Sequence, residues 1–260
     1  MKDSQIVQNF NSKGFVLLKN FINKNQINII KKELFSVAFD EIGCEVYYET
    51  IGNKKKIRRI ENFSNKLPEI RKLIGSDAVQ KLLSLALNDK PQIFKEKINF
   101  KSAKGGSEFR YHIDGHFFWK DKNFSLKKGW KEYANKFVNL VIPLEKTDLS
   151  NGCLKIFSLK ETKNLGKSWE EITSNLDKNG PFLKKGFKFK TKEIFLEMMP
   201  GDILIFDWLC IHGSDDNYSQ NDRPILYLTY NPKKAGNFME KYFNDKNSSK
   251  GDKKEKSLIK

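Results

Sequence analysis

The amino-acid sequence predicts an all-β core with flanking helices, arranged as a cupin-like jelly roll. From residue 92 onward, short runs of β-forming residues alternate with loops rich in Gly, Pro, Asn and Asp. Many short strands separated by turn residues are typical of a sandwich or barrel. Ahead of residue 92, segments 3–13, 24–41 and 77–88 have the apolar spacing of amphipathic helices. We therefore expect these helices to pack on the outside of the barrel.

The individual elements follow from local patterns. Ile27, Ile30 and Leu34 recur at helical spacing in the second helix, and residues 14–18 form an apolar run that predicts a short buried strand. The strands expected in the core are 92–100, 108–113, 136–143, 152–158, 187–198, 202–206 and 224–231.

Two segments interrupt this alternation. Residues 120–135 contain aromatic residues and many lysines, and we expect a flap there. Residues 168–185 are polar and are expected to cover one end of the barrel. We expect a single domain over residues 1–245, followed by a basic, disordered tail over 246–260.

The composition excludes several classes of protein. The 260 residues include 38% hydrophobic residues and 21 Phe, which indicates a globular chain. No apolar run approaches the roughly 18 residues of a membrane span, and the N-terminus has no signal-peptide pattern. The three cysteines are widely spaced and form no CxxC pair, so we expect reduced thiols and a cytoplasmic protein without a membrane partner.

The net charge of +16 raises the question of nucleic-acid binding. Only five of the 48 basic residues are Arg, whereas recognition of bases and phosphates relies on the planar fork of Arg. We therefore expect no nucleic-acid partner. A positive field does attract small anions, so an anionic or zwitterionic small molecule is the expected substrate.

The residues that can carry chemistry are His112, Asp114 and His212. His112 and Asp114 are two residues apart, so on one strand both side chains point to the same face. His212 follows a later strand, and distant strands become neighbours in a jelly roll. Two His and one carboxylate leave the opposite face of a metal open, which suits Fe(II) and reaction with O2, although Zn²⁺ with a water ligand also fits.

Arg223 supplies a second anchor. It lies eleven residues after His212 and directly ahead of Pro224, a spacing that turns the chain from one strand to the next. A five-carbon dicarboxylate can chelate a metal at one end and pair with this guanidinium at the other.

The sequence resembles the phytanoyl-CoA dioxygenase family of Fe(II)- and 2-oxoglutarate-dependent oxygenases over roughly residues 10–245. The stretches that carry the resemblance are 109–115 (FRYHIDG), 139–144 (NLVIPL), 150–154 (SNGCL), 200–202 (PGD), 212–214 (HGS) and 221–224 (NDRP). The resemblance implies a double-stranded β-helix with iron on His112, Asp114 and His212 and the co-substrate 2-oxoglutarate on Arg223. It also implies that Asn99 and Ser214 contact 2-oxoglutarate.

Two further stretches, 95–101 (KEKINFK) and 226–231 with 241–246, resemble the branch that hydroxylates aminophosphonates. Residues 157–160 depart from the family pattern in a loop that borders the substrate in relatives. The resemblance therefore implies a small aminophosphonate, such as 2-aminoethylphosphonate or its N-methylated form, with an amino acid or ectoine-like solute as the alternative.

Candidate substrate residues lie near the metal motif in the sequence. Lys97, Lys101 and Arg110 alternate in or beside strands and can meet an anion. His116 is interpreted as a loop or substrate-orienting residue, because Gly115 argues against a helical zinc pair. Phe117, Phe118 and Trp119 form either a core cluster or an aromatic wall for a cation.

Three functions compete at this point. The first is a small-molecule oxygenase that uses Fe(II), 2-oxoglutarate and O2. The second is a non-catalytic jelly-roll binding module, and the third is a hydrolytic zinc enzyme.

Overall fold

The computed structural model describes residues 1–117, 119–120, 126–127, 129–165, 167–173, 182–184 and 186–249, and of residues 119, 120, 126, 127, 169, 170, 248 and 249 it describes the backbone alone. None of the helices in this part of the chain combines the length and the apolar character that a bilayer span requires.

The strands form two main sheets and a short hairpin. In chain order they are β1 (Phe15–Leu18), β2 (Glu45–Ile51), β3 (Lys54–Glu61), β4 (Pro91–Asn99), β5 (Phe109–His112), β6 (Trp119–Lys120), β7 (Leu126–Lys127), β8 (Val138–Pro143), β9 (Leu154–Ile156), β10 (Ile194–Leu196), β11 (Ile203–Asp207), β12 (His212–Ser214) and β13 (Ile225–Pro232). The larger sheet has the order β1-β11-β8-β13-β4-β3-β2, the smaller has the order β10-β9-β12-β5, and β6 pairs with β7.

The helices are α1 (Asp3–Lys13), α2 (Lys24–Ser36), α3 (Pro68–Ile74), α4 (Asp77–Leu87), α5 (Leu159–Lys163), α6 (Trp169–Ile172) and α7 (Met239–Ser249). Asn23 caps the start of α2, because its side chain accepts a hydrogen bond from the Asn25 backbone N–H at 2.8 Å. Asn88 ends α4 in the left-handed conformation, with φ of 55°.

The central strands of the larger sheet, β8, β11 and β13, are buried on both faces. On β11, Ile203 and Ile205 join the apolar cluster formed with α1 to α4, whereas Leu204 and Phe206 face the smaller sheet. Alternation along the strand explains this division. The inner face, between the two sheets, is where the candidate site lies. The expected β-rich core with flanking helices is therefore confirmed.

Several expected boundaries are wrong. The second helix ends at Ser36, five residues before the expected end at 41, and the expected strand 187–198 is reduced to the three residues of β10. The hairpin of β2 and β3 was not expected, because the strand sequence begins with a run of lysines that favours an exposed loop.

The expectation of a flap at 120–135 is wrong for the second half of this segment, which packs into the core. Trp130 and Tyr133 are buried, and their rings lie 5.6 Å and 5.3 Å from the ring of Phe94. Large aromatic surfaces of this kind belong to a packed core. Residues 121–125 and 128 lie outside the described residues.

The segment 168–185, expected to be a polar cover over one end of the barrel, also contributes apolar side chains to the core. Ile172 and Leu183 are buried in one cluster with Ile113 and Ile211, which flank the two metal-site histidines in the sequence. Residues 174–181 and 185 lie outside the described part of the chain.

The expectation of a disordered tail from residue 246 is wrong for residues 246–249, which are helical. The helix α7 continues to Ser249, and the ammonium group of Lys246 forms an ion pair with the carboxylate of Glu61, which is fully buried. Residues 250–260 lie outside the described chain.

Candidate metal and substrate site

Two histidines from distant parts of the chain lie side by side in the smaller sheet. β5 ends at His112 and β12 begins at His212, and the antiparallel pairing of these strands places the two residues opposite each other. Gly213 permits the close pairing, since a Cβ atom there would lie 2.8 Å from the backbone oxygen of Phe109. The two imidazole centroids are consequently only 4.2 Å apart.

The carboxylate of Asp114 comes from the turn after β5. The expectation that His112 and Asp114 share one strand is wrong, because the strand ends at His112 and Asp114 begins a short 3-10 turn. The turn still brings the carboxylate to the rings: its oxygens lie 3.8 Å from Nε2 of His112 and 3.7 Å from Nε2 of His212. One ligand atom from each of the three residues lies within 4.8 Å of the others.

Backbone carbonyls select the tautomer of both histidines. Nδ1 of His112 lies 2.7 Å from the oxygen of Arg110, and Nδ1 of His212 lies 3.0 Å from the oxygen of Cys210. A carbonyl oxygen only accepts hydrogen bonds, so each Nδ1 carries the hydrogen. Each Nε2 therefore presents a lone pair towards Asp114, which is the arrangement that metal-ligating histidines adopt.

The same environment sets the charge states. Burial lowers the pKa of His112 to about 3, and the neighbouring His212 acts in the same direction. Burial also lowers the pKa of His212. Burial alone would raise the pKa of Asp114, but His212, Lys97 and His112 outweigh it and hold this pKa below its ordinary value. Neutral imidazoles and an ionised carboxylate are the forms that bind a cation.

A buried hydrogen-bond chain orients the carboxylate. Asn139 donates from Nδ2 to Oδ2 of Asp114 at 2.8 Å, and Thr229 donates from its hydroxyl to Oδ1 of Asn139 at 2.7 Å. Asn139 lies on β8 and Thr229 on β13, so this chain links the turn after β5 to the larger sheet. Partners of this kind fix the orientation of metal ligands.

The residues present fit a mononuclear divalent metal. Two imidazole nitrogens and one carboxylate oxygen converge from one side, and such a donor set leaves coordination positions for small molecules. This is the ligand set of non-haem Fe(II) oxygenases, and Zn²⁺ can also be held by it.

Arg223 is fully enclosed and incompletely paired. It is 1% exposed, and its Nε and Nη1 have no hydrogen-bond partner among the described residues. Its side chain is hydrogen-bonded to that of Tyr227, and burial lowers its pKa. Because unpaired N–H groups in a buried guanidinium are costly, an anion with two oxygen atoms would complete this environment.

Ser214 and Lys101 lie at this end of the site. Lys101 donates from Nζ to the hydroxyl of Ser214 at 2.7 Å and also to the backbone oxygen of Asp215. Burial, and next the charge of Arg223, lowers the pKa of Lys101 to about 6. Lys101 was expected at the substrate, but the structure places it beside Arg223 and Ser214.

Asn99 and Lys97 lie on the strand β4. The side-chain oxygen of Asn99 accepts a hydrogen bond from Nε of Arg59 at 3.3 Å. Burial lowers the pKa of Lys97 to about 7, while the nearby charge of Asp114 opposes this shift. The side chain of Lys97 therefore lies close enough to the candidate metal ligand Asp114 for their charges to interact.

Arg110 and His116 are placed differently from Lys97. Arg110 donates from Nη2 to the backbone oxygen of Leu183 at 3.2 Å, and its guanidinium lies over the ring of Phe182 at 5.1 Å. It thus contacts the segment near residue 183. His116 closes the turn after Asp114 and is not part of the metal-capable group found among the described residues.

Of the three residues expected to form an aromatic wall, Phe117 to Trp119, the structure describes only the side chain of Phe117. The ring of Phe117 meets the ring of His112 edge-on, with centroids 5.1 Å apart. Phe118 and the side chain of Trp119 lie outside the described residues.

The sequence interpretation did not assign roles to Arg59, Glu61, Lys95 and Tyr227. Burial lowers the pKa of Lys95, and the charges of Glu61, Arg59 and Asp114 all act on it. The available signal was the alternation of Lys95, Lys97 and Asn99 on one face of a strand.

The fold and the site together define a jelly-roll protein with two histidines and one carboxylate that could hold a metal ion. The chain belongs to the phytanoyl-CoA dioxygenase family, whose model matches residues 10–225. The expected enzyme class, an Fe(II)- and 2-oxoglutarate-dependent dioxygenase, is confirmed by this membership.

Relatives of known activity cover nearly the whole chain. A 2-aminoethylphosphonate dioxygenase from the uncultured bacterium HF130_AEPn_1 is 28% identical over 239 residues, which is 90% of this chain and 83% of that protein. A methylphosphonate hydroxylase from Gimesia maris is 25% identical over 252 residues, which is 96% of this chain and 88% of that protein.

Solved structures show the same fold. The structure of EctD from S. alaskensis with 2-oxoglutarate and 5-hydroxyectoine superposes with a TM-score of 0.66 at 17% identity, covering 90% of this chain and 77% of EctD. AviO1 from Streptomyces viridochromogenes has a TM-score of 0.63 at 14% identity, covering 90% of this chain and 97% of AviO1.

Proposed function

We propose that this dioxygenase hydroxylates a small zwitterion that bears a phosphonate and an amino or N-methylated amino group. In this proposal iron is held by His112, Asp114 and His212, and 2-oxoglutarate is anchored by Arg223. The observation that carries the proposal is that three ligand groups converge in the same protein that buries a guanidinium with two unpaired nitrogens, Nε and Nη1 of Arg223.

Iron and 2-oxoglutarate supply the oxidising chemistry: one oxygen atom of O2 enters succinate, the other becomes the hydroxyl group of the product, and CO2 is released. The protein contributes binding and orientation. Asn139 holds the carboxylate of Asp114 in place, and the two backbone carbonyls keep the Nε2 atoms of His112 and His212 free of hydrogen.

The anchoring role of Arg223 rests on geometry and charge. Nη1 of Arg223 has no partner among the described residues and can donate, together with the adjacent Nη2, to the two oxygens of a carboxylate. The hydroxyl of Ser214, which accepts a hydrogen bond from Lys101, lies at the same end of the site. Lys101 itself adds a second positive charge close to Arg223. We assign Asn99, on the inner face of β4, to the same co-substrate.

The substrate class is supported by relatives and by charge. The two relatives reported above are named for 2-aminoethylphosphonate and for methylphosphonate. The net charge of +16 favours an anionic ligand. The alternative is a zwitterion with a carboxylate or an ectoine-like solute, since the structurally similar EctD is described with 5-hydroxyectoine. We also propose a cytoplasmic location, supported by three cysteines that are all free thiols.

The test measures O2-dependent succinate formation by iron-loaded protein. The candidate substrates are 2-aminoethylphosphonate, its N-trimethyl analogue, methylphosphonate, the matched carboxylate β-alanine, and ectoine. We expect stoichiometric succinate and hydroxylated product with a phosphonate, and no turnover by His112→Ala. Hydroxylation of carboxylates alone would overturn the substrate class, and O2-independent turnover with Zn²⁺ would overturn the dioxygenase proposal.

A further inference from the structure

A row of charged residues crosses the inner face of the larger sheet. Glu61 on β3 lies opposite Lys97 on β4, and Arg59 lies opposite Asn99. Lys97 also lies opposite Tyr227 on β13. Residues at spacing two on adjacent strands share a face, so these side chains form one patch.

The patch extends to the metal ligands. Lys95 lies opposite Thr229 on β13, and Thr229 lies opposite Asn139 on β8. Asn139 in turn donates its hydrogen bond to Asp114. The carboxylate of Asp114 is therefore near enough for its charge to act on the pKa values of both Lys95 and Lys97.

The two ammonium groups have no hydrogen-bonded partner among the residues that the structure describes. Nζ of Lys97 lies over the ring of Tyr227 at 5.2 Å. Nζ of Lys95 lies over the rings of Trp130 and Tyr242 at 5.6 Å and 5.3 Å. Aromatic faces stabilise a cation only modestly, so they do not replace an anion.

The positive charges of the patch repel one another. Burial is the main reason that the pKa values of both lysines are lowered, and the charge of Arg59 acts in the same direction on each. Both residues nevertheless keep part of their surface accessible to solvent. Unpaired charges at such a depth are costly unless a ligand compensates them.

The carboxylate that faces this patch is already engaged. Glu61 pairs with Lys246, accepts a hydrogen bond from Tyr47 at 3.5 Å and lies 3.5 Å from Nη1 of Arg59. Asp114 is assigned to the metal. Lys95 and Lys97 are thus left without an ion pair among the described residues, and a compact dianion bound there would favour the charged forms of both amines.

We propose that Arg59, Lys95 and Lys97 form the subsite that binds the acidic head group of the substrate, and that this group is a compact dianion of the phosphonate class. The inference rests on the proposed function and deepens it, because it assigns recognition of the head group to particular residues on β3 and β4. Lys101 and Arg223 form a separate positive region for the co-substrate.

The test compares Lys95→Met and Lys97→Met with the wild type. Methionine keeps an unbranched side chain of similar length but removes the charge. Lys55→Met is the matched control, since Lys55 is exposed on β3 and lies over the ring of Tyr48 at 4.1 Å. Calorimetry under anaerobic conditions measures binding of methylphosphonate and 2-aminoethylphosphonate to protein loaded with iron and 2-oxoglutarate.

We expect each subsite variant to weaken phosphonate binding by about 30-fold or more, as loss of one partner of an enclosed charge pair does. Affinity for 2-oxoglutarate should remain within about twofold, and Lys97→Arg should retain most phosphonate binding. Lys55→Met should match the wild type. Thermal unfolding with and without phosphonate checks folding, because the ligand should raise Tm in the wild type and not in the variants.

The outcomes separate this inference from the proposed function. Unchanged phosphonate affinity in both variants overturns the subsite, even where the wild type hydroxylates the phosphonate. Loss of binding in the variants, without hydroxylation by the wild type, supports the subsite and contradicts the proposed function. Absence of phosphonate binding by the wild type overturns both.

Discussion

At the scale of single residues, backbone atoms and one buried amide prepare the metal site. The carbonyl oxygens of Arg110 and Cys210 determine the histidine tautomers, so the identity of those two side chains is not required for this role. Asn139, in contrast, acts through its side chain and is the sole link described between Asp114 and Thr229.

Replacing Asn139 by Ala should weaken iron binding or turnover by about 10- to 100-fold, as loss of an outer partner of a metal ligand usually does. The Asp114 carboxylate would lose its 2.8 Å hydrogen bond and its fixed orientation. Titration of apoprotein with Fe(II) in the absence of O2 measures the affinity. Thr229→Val should have a smaller effect, because Asn139 can still contact Asp114. Equal or stronger iron binding in Asn139→Ala would contradict this role.

Replacing Arg223 by Lys should raise KM for 2-oxoglutarate by about tenfold or more, because an ammonium group keeps the charge but loses the two-pronged hydrogen bond. Succinate formation at varied 2-oxoglutarate measures the effect. Arg71→Lys is the control, since Arg71 is exposed on α3. Asn99→Ala and Ser214→Ala should raise the same constant more gently. An unchanged KM in Arg223→Lys would place the co-substrate elsewhere.

At the scale of secondary-structure elements, α7 completes the wall around the charged patch. Lys246 on α7 pairs with Glu61 on β3, and its ammonium group also lies over the ring of Tyr47 at 5.3 Å. Glu61 is fully buried, so its negative charge depends on these partners. The C-terminal helix is thereby tied to the strand that carries Arg59.

Replacing Lys246 by Met should lower the free energy of unfolding by about 1–3 kcal/mol at pH 7, less than for a fully isolated buried pair because Arg59 and Tyr47 remain. Burial alone would raise the pKa of Glu61, but Lys246, Lys95 and Arg59 hold it well below its ordinary value. Lowered pKa values stabilise the fold above the unfolded-state pKa, and this contribution is lost as pH falls. The difference between wild type and variant should therefore shrink progressively below about pH 4.3.

Urea unfolding at several pH values measures this difference. Lys241→Met is the matched control on the same helix, because the Lys241–Asp245 ion pair involves a lysine side chain that is 62% exposed. It should change stability little. A destabilisation by Lys246→Met that persists unchanged at low pH would contradict the role assigned to Glu61.

At the scale of the whole molecule, the metal site connects the two sheets. Both histidines belong to the smaller sheet, and Asp114 is held to the larger sheet through Asn139 and Thr229. A cation bound by the three ligands would therefore stabilise the packing of one sheet on the other as well as supply chemistry.

Iron loading should accordingly raise Tm by about 5 °C or more at metal concentrations near 100 times Kd, and removal with a chelator should reverse the shift. Anaerobic thermal unfolding followed by circular dichroism measures it. His212→Ala should show no iron-dependent shift, whereas Lys55→Met should behave as the wild type does. A shift of equal size in His212→Ala would mean that iron binds at another place.

The sequence alone determined the class of fold and the three candidate metal ligands, which the structure brings together. Alternating strand patterns from residue 92 onward, the two-residue spacing of His112 and Asp114, and the distance from His212 to Arg223 are local features that remain readable in a linear sequence. The hairpin of β2 and β3 was not readable, because its lysine-rich strand gains stability from the neighbouring β4.

Only the tertiary structure decided which cations face which end of the site. Lys97 and Lys101 are four residues apart and look equivalent in sequence, yet Lys97 lies near Asp114 whereas Lys101 donates to Ser214 beside Arg223. Arg59 joins Lys97 because β3 pairs with β4 in one particular register. Strand periodicity specifies the face of a side chain, but its neighbours depend on pairing between distant strands, and that pairing is set by the packing of the whole molecule.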